Sequence, residues 1–192
     1  MKLTEPQTRQ QVHTRTITCA AFVHGDGLVD IEGTLRDIKY QPLILPERGV
    51  VAPGEAIHEM KLVITIDRTF LIRDAQAITL QSPYQICGEI NDRYRQIIGL
   101  RIEPGFTQKI KRLFRGISGC QHLTELLPPM ATTAFQVIWA SKETYSEIDT
   151  GGDAANRPTP LGGCHALRQD GEVVRLHFPK HYVQAVGKVD SA

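Results

Sequence analysis

Four side chains with metal-binding donor atoms form the most informative chemical pattern in the sequence: His58, Cys87, Cys120 and His122. Cys87 and Cys120 each fall in the first turns of a predicted helix, where backbone N–H groups and the helix dipole favour the thiolate. His58 begins the inward row of a predicted strand. If both helix starts meet this end of the sheet, these ligands suit zinc, iron or an iron–sulfur cluster better than magnesium or calcium.

His122 is the candidate fourth ligand. Residues two apart on a helix point about 200° away from each other, so Cys120 and His122 can share one ion only if the helix begins between them. Glu125, Asp67 and solvent compete for the fourth position.

The other cysteines show no metal-binding spacing, because the sequence contains no CxxC pair. Cys19 alternates with apolar residues in its strand, which predicts a core position. Cys164 and His165 are adjacent, so on a strand they would face opposite ways. Their role stays open between a second thiol site and loop packing. Any metal site must therefore be assembled by the fold.

Two predicted hairpins supply the strands that position these residues. Residues 12–23 and 28–38 form the first hairpin, and residues 56–67 and 70–80 form the second. In residues 56–67, alternation places His58 on the same face as a row of apolar residues: Met60, Leu62, Ile64 and Ile66. The prolines of residues 41–54 predict a loop between the hairpins.

Helices follow the second hairpin up to about residue 142. Ser82 and Ser118 stand at capping-box spacing from a glutamine, which predicts helices that begin at these serines. The Pro128–Pro129 pair is expected to kink or split the last helix, because two amide donors are missing. An Asp170–Gly171 turn predicts a late hairpin. The fold class is therefore α+β, a mostly antiparallel sheet with three or four helices packed on one face.

Composition limits the class of partner. The 192 residues carry 22 Lys+Arg and 21 Asp+Glu, giving a net charge of +1. This mixed charge leaves no electrostatic footprint for nucleic acid, and the basic run at residues 109–115 is interpreted as a solvated helix face. No apolar stretch approaches the length of a membrane span. We expect a cytoplasmic protein whose partners are a metal ion and another protein.

Four segments carry a resemblance to an uncharacterised bacterial domain-of-unknown-function family. They are HTR at residues 13–15, DGLVDIEGTLRDIK at residues 26–39, PGEAIHEMKLVITID at residues 53–67 and GCQHLTELLPPMATTAFQ at residues 119–136. The resemblance is specific, but it implies no activity.

Residues 54–139 also resemble iron–sulfur cluster scaffold proteins of the IscU/NifU type. The order of HEMKLVI, PYQIC and SGCQHLTELL is similar to that of the scaffold family. By position, the resemblance places His58 near the ligand aspartate of that family, Cys87 at its second cysteine and Cys120 at its third. The order of hairpins and helices predicts one α+β domain over residues 1–145, with an N-terminal hairpin at 12–39 and a scaffold-like core at 54–142. Residues 146–192 are expected to be an extended segment packed on that domain.

Three functions stay open at this point. The first is a zinc or iron protein that uses Cys and His at one end of the sheet. The second is a thiol-dependent enzyme acting on a small acyl or sulfur-bearing substrate, with Cys120 or Cys87 as nucleophile and His58 or His122 as base. The third is a small-ligand or protein-interaction module formed by the helical layer and the loop at residues 41–54.

Overall fold

A four-stranded antiparallel sheet is the platform of the domain. The computed structural model describes residues 10–139 and 158–184. Its strands are β1 (His13–Val23), β2 (Val29–Lys39), β3 (Leu43–Leu45), β4 (Gly49–Val51), β5 (Ala56–Ile66) and β6 (Ile72–Gln81). The main sheet has the order β1-β2-β5-β6, and β3 pairs separately with β4. Both predicted hairpins are confirmed.

The helical elements follow the sheet in the chain. They are a 3₁₀ helix (Gln85–Ile97), α1 (Phe106–Leu113), α2 (Gln121–Ile138) and α3 (Glu172–His177), with two shorter 3₁₀ turns at Gly116–Ser118 and Pro179–His181. This combination confirms the α+β class. Across the described ranges, none of these helices has both the length and the apolar character that crossing a membrane requires.

One face of the sheet is buried beneath α2, which contacts β1, β2 and β5. The inward row of β5 is confirmed, because its apolar members are at most 1% exposed: Met60, Leu62, Ile64 and Ile66. Gly33 lies in the corresponding row of β2. A Cβ atom at Gly33 would lie 2.6 Å from Met130 Sδ and 3.5 Å from Leu126 Cβ. The missing side chain therefore lets α2 pack directly against β2 and fixes the height of the helix above the sheet.

The predicted helix starts are wrong. The Ser82 hydroxyl donates to the Tyr84 carbonyl, and Tyr84 is the N-cap of the 3₁₀ helix. Ser118 belongs to a 3₁₀ turn, and the N-cap of α2 is Cys120. Serine-to-glutamine spacing alone does not make a capping box, because the serine backbone must also occupy the N-cap position.

Helix α2 runs through Pro128 and Pro129 without dividing. The hydroxyls of Thr132 and Thr133 donate to the carbonyls of Pro128 and Pro129, at 3.3 and 3.0 Å. The apolar stripe of α2 lies against the sheet and is buried on both sides of the prolines. Tertiary packing therefore maintains a helix that loses two backbone hydrogen bonds to the prolines.

Two expectations about loops are also wrong. Residues 41–54 form the β3–β4 hairpin, because Pro42, Pro46 and Pro53 flank its three-residue strands rather than interrupt them. Asp170–Gly171 leads into α3 instead of turning a hairpin. Residues from this later segment join the main core: Leu161, Val174 and Phe178.

Candidate functional site

A buried carboxylate, Asp37, is the centre of a polar cluster near the end of β2. Its side chain is 2% exposed, and it continues the core-facing row of that strand. The strand register places Arg15 of β1 opposite Asp37 on one side and His58 of β5 opposite it on the other. The β2–β5 register shifts directly after Asp37, an irregularity of the kind that redirects side chains. Three neighbouring strands thus supply one polar row.

Arg15 holds both oxygens of the Asp37 carboxylate. Its Nε donates to Oδ1 and its Nη2 donates to Oδ2, each at 2.8 Å. The remaining Nη1 donates to Glu125 of α2, and His13 Nε2 lies 3.4 Å from Asp37 Oδ1. One guanidinium therefore serves two carboxylates, which leaves a formal charge of −1 on the trio and favours a bound cation.

Two imidazoles face the same oxygen of Asp37. His58 Nδ1 lies 3.2 Å from Asp37 Oδ2, and His122 Nε2 lies 3.6 Å from it. The two rings stack, with centroids 3.8 Å apart and planes inclined by 27°. Among the described residues, Asp37, His58 and His122 form the group whose donor atoms could hold one metal ion, all within 4.8 Å of one another.

The start of α2 sets the position of His122. The buried Tyr94 hydroxyl accepts from the Cys120 N–H at 3.0 Å and lies 2.7 Å from the Cys120 carbonyl oxygen, to which it can donate. At Gly119, a Cβ atom would lie 2.5 Å from Phe114 Cβ, so only glycine permits this approach. Because α2 begins at Gln121, after Cys120, the Cys120 Sγ comes within 3.9 Å of His122 Nδ1. The sequence predicted that Cys120 and His122 could approach each other only if the helix began between them, and α2 begins there.

The protonation states at the site are those that bind metal. Burial raises the pKa of Asp37, but the hydrogen bonds and charge of Arg15, with smaller effects of the two imidazoles, hold it below its usual value. Burial and the neighbouring His122 lower the pKa of His58. Burial and the charge of Arg15 lower the pKa of His122. At neutral pH the cluster therefore offers an ionised carboxylate and two neutral imidazoles.

The predicted site residues separate into three groups. His58 and His122 come together, and Cys120 lies beside His122 without belonging to the three-residue group. Cys87 is half-buried in the 3₁₀ helix and is not a member of that group. Cys19 packs against the core as expected, and Cys164 is exposed.

Sequence reasoning missed Asp37 and Arg15. The signal was available for Asp37, because it continues the inward alternation of Val29, Ile31, Gly33 and Leu35. An acidic residue in a buried row needs a partner, and that requirement marks it as a candidate. The pairing of Arg15 with Asp37 follows from the hairpin register once the turn is placed.

A family model matches residues 13–136, and its description is "Protein of unknown function (DUF2889)". The chain belongs to this family. The matched stretch contains five residues of the polar cluster around Asp37: Arg15, Asp37, His58, His122 and Glu125. No curated protein and no solved structure matches the chain.

Proposed function

We propose that this DUF2889 protein binds one zinc or iron(II) ion through Asp37 Oδ2, His58 Nδ1 and His122 Nε2. The observation that carries the proposal is the convergence of two imidazoles on a carboxylate oxygen that also accepts from Arg15. Two histidines and one carboxylate form a ligand set used by catalytic zinc sites and by non-haem iron(II) sites.

A hydrogen-bond network explains the approach of His58 and His122 to Asp37 less well than a bound metal ion does. Asp37 Oδ2 accepts a hydrogen bond from Arg15 and lies within hydrogen-bond distance of His58. These two contacts use both lone pairs of Oδ2. His122 Nε2 is left at 3.6 Å from Oδ2, beyond a hydrogen bond. A metal ion in place of the proton between His58 Nδ1 and Asp37 Oδ2 would contact all three donor atoms.

The two distances from Asp37 Oδ2 to the imidazole nitrogens suit such an ion. Donor atoms of a tetrahedral zinc site lie about 3.3 Å apart, since each is about 2.0–2.1 Å from the metal. Asp37 Oδ2 lies 3.2 Å from His58 Nδ1 and 3.6 Å from His122 Nε2, and these distances bracket that value. Both histidine side chains are about one-fifth exposed, so water or a substrate could reach the remaining coordination position. A site with three protein ligands and an open position supplies Lewis-acid chemistry or an activated water.

Metal analysis of purified protein tests the proposal. We expect near-stoichiometric zinc or iron in untagged protein prepared without chelator, and less than about a tenth of it in Asp37→Asn, His58→Gln and His122→Gln. His24→Gln is the matched control, because His24 Nε2 also contacts a carboxylate, at 2.9 Å from Asp30 Oδ2, outside the three-residue group. Equal metal in all variants, or none after anaerobic loading with zinc and iron(II), would contradict the proposal.

The same measurement separates this site from a cysteine-based one. Cys87→Ser and Cys120→Ser should retain the metal if Asp37, His58 and His122 are the ligands. The resemblance to the IscU/NifU type instead places the cysteines in the ligand set. Loss of metal in both serine variants, with visible absorbance after loading with iron and sulfide, would support that cluster-scaffold alternative.

A thiol-dependent reaction is the second candidate function. The observation that favours it is the sequence of contacts Cys120 Sγ to His122 Nδ1 (3.9 Å) and His122 Nε2 to Asp37 Oδ2 (3.6 Å). This is the order of nucleophile, base and orienting carboxylate. In an acyl transfer, the sulfur would take the acyl group of a small ester or thioester, His122 would take the thiol proton, and that proton would leave with the released alcohol or thiol.

Alkylation of metal-free protein tests this second candidate. Iodoacetamide should modify Cys120 faster than the exposed Cys164, and His122→Gln should remove the difference. If Cys120 reacts no faster than Cys164, or if the variant leaves its rate unchanged, the thiol mechanism is wrong.

A further inference from the structure

The outer edge of β1 is a long strand edge without a partner in the described part of the chain. β1 is the first strand of the sheet and pairs with β2 over all eleven residues, from His13 to Val23, without a register shift. On its other side, no strand within residues 10–139 and 158–184 pairs with it. An edge of this kind is a ready template for another strand.

The hydrogen bonds at the two ends of the hairpin identify the backbone groups on this edge. The Tyr40 N–H donates to the Val12 carbonyl, and the His24 N–H donates to the Leu28 carbonyl. Even-numbered residues of β1 therefore direct their N–H and C=O groups to β2. Because direction alternates along an antiparallel strand, the odd-numbered residues present theirs at the open edge: Arg15, Ile17, Cys19, Ala21 and Val23.

The opposite edge of the sheet is obstructed. Ile72 at the start of β6 exchanges backbone hydrogen bonds with Gly99 and Leu100, at 2.9 Å each. The β5–β6 pairing also contains two register shifts. Covering segments and irregular pairing are devices that prevent strand addition. Within residues 10–139 and 158–184, β1 has neither, so the two edges of this sheet differ in how readily another strand can pair with them.

The sequence of β1 is suited to pairing with itself. Residues 16–23, TITCAAFV, contain no charged residue and no proline. Ile17, Phe22 and Val23 expose 38%, 53% and 71% of their surface. Such a β-prone, uncharged segment has no charges that would favour a strand from a different protein. Pairing two copies about a two-fold axis would also place no like charges opposite each other in this segment.

We propose that a second copy of this chain covers this edge, with the two β1 strands antiparallel about a two-fold axis at Cys19. Ile17 then pairs with the partner's Ala21, and Arg15 pairs with the partner's Val23. The odd-numbered residues would form about ten backbone hydrogen bonds, and the two sheets would become one continuous sheet. None of the three proposed metal ligands lies on β1, so the interface and the metal site can be tested separately.

Two substitutions at Ile17 test the interface. Ile17→Pro removes an N–H that faces the open edge and spares the β1–β2 ladder. Ile17→Lys places a charge in the paired strand without the backbone change. Ile44→Lys is the matched control, because Ile44 is 77% exposed and lies on β3.

Light scattering after size exclusion, at about 5 to 200 µM, measures the mass against the chain mass of 21.4 kDa. We expect twice the chain mass for the wild type and Ile44→Lys, and the chain mass for both Ile17 variants with unchanged circular dichroism. If Ile17→Pro unfolds, Ile17→Lys decides the outcome. A monomeric wild type over this range, or a folded Ile17→Lys dimer, would overturn the proposal.

Hydrogen exchange adds a readout specific to this edge. In the dimer, the amides of Ile17, Cys19 and Ala21 should exchange slowly, as those of the even-numbered neighbours do. In Ile17→Lys, the Cys19 and Ala21 amides should become fast while the even-numbered ones stay slow. Slow exchange of Cys19 and Ala21 in a monomer would show that another part of the same chain covers the edge, which would also overturn the proposal.

Discussion

Replacing Arg15 by methionine should destabilise the metal-free protein strongly. The change removes the guanidinium that binds both oxygens of Asp37 and leaves a carboxylate that is only 2% exposed without a charged partner. Methionine keeps much of the aliphatic volume, so the effect comes mainly from the lost charge and hydrogen bonds.

The expected loss is about 3 kcal/mol of unfolding free energy. Breaking a buried ion pair by removing one partner costs about 3–5 kcal/mol, because the remaining charge stays desolvated. We expect the lower end of that range because His58 still contacts Asp37 Oδ2. Asp37→Asn removes the stranded charge, so the double variant Arg15→Met with Asp37→Asn should recover part of the loss. The coupling free energy should be about 2 kcal/mol.

Urea unfolding followed by tryptophan fluorescence measures these values. Trp139 is the single tryptophan and is 3% exposed. Chelator must be present and the protein concentration fixed, because a bound metal or partner would add its own stabilisation. Lys61→Met is the matched control, since Lys61 Nζ lies 2.7 Å from Glu32 Oε2 but both side chains are about one-third exposed. We expect less than about 1 kcal/mol for this surface pair.

An unfolding free-energy loss in Arg15→Met no larger than that in Lys61→Met, or a coupling free energy close to zero, would refute this prediction. Asp37 would then be solvated well enough in the folded protein to need no charged partner. The polar row across β1, β2 and β5 would not be an energetically linked unit.

Two further predictions concern the parts that hold α2 in place. Gly33→Val should lower both metal affinity and stability, because Met130 must move and α2 must rise from β2. Gly25→Ala is the control, with no atom within 4 Å of the added Cβ, and isothermal titration with zinc measures the affinities. Burial raises the pKa of Tyr94 to about 12, so the unfolded chain ionises first. Stability should therefore fall by up to about 3 kcal/mol as pH rises from 10 to 12. Urea unfolding of Tyr94→Phe should lack this contribution, and an unchanged pH slope would show that Tyr94 ionises as freely as an exposed tyrosine.

The sequence determined the secondary structure wherever a periodic pattern was long. Alternation in β2 and β5 predicted both the strands and their buried faces, because one-sided burial forces a period of two. The same reasoning placed His58 at the end of the inward row. Local signals were less reliable at boundaries, since Ser118 and Cys120 are both near the start of α2 and only backbone geometry selects the N-cap.

The tertiary structure alone decided which side chains meet. Asp37 and His58 are 21 residues apart, and His122 lies on another element. Their convergence depends on strand register and on the height of α2 above Gly33, and neither is encoded by a local pattern. Cys87 and Cys120 looked equivalent as helix-start thiols, yet only Cys120 lies beside the histidines. A metal site built from separate elements is specified by packing, because its donor distances follow from long-range contacts rather than from spacing along the chain.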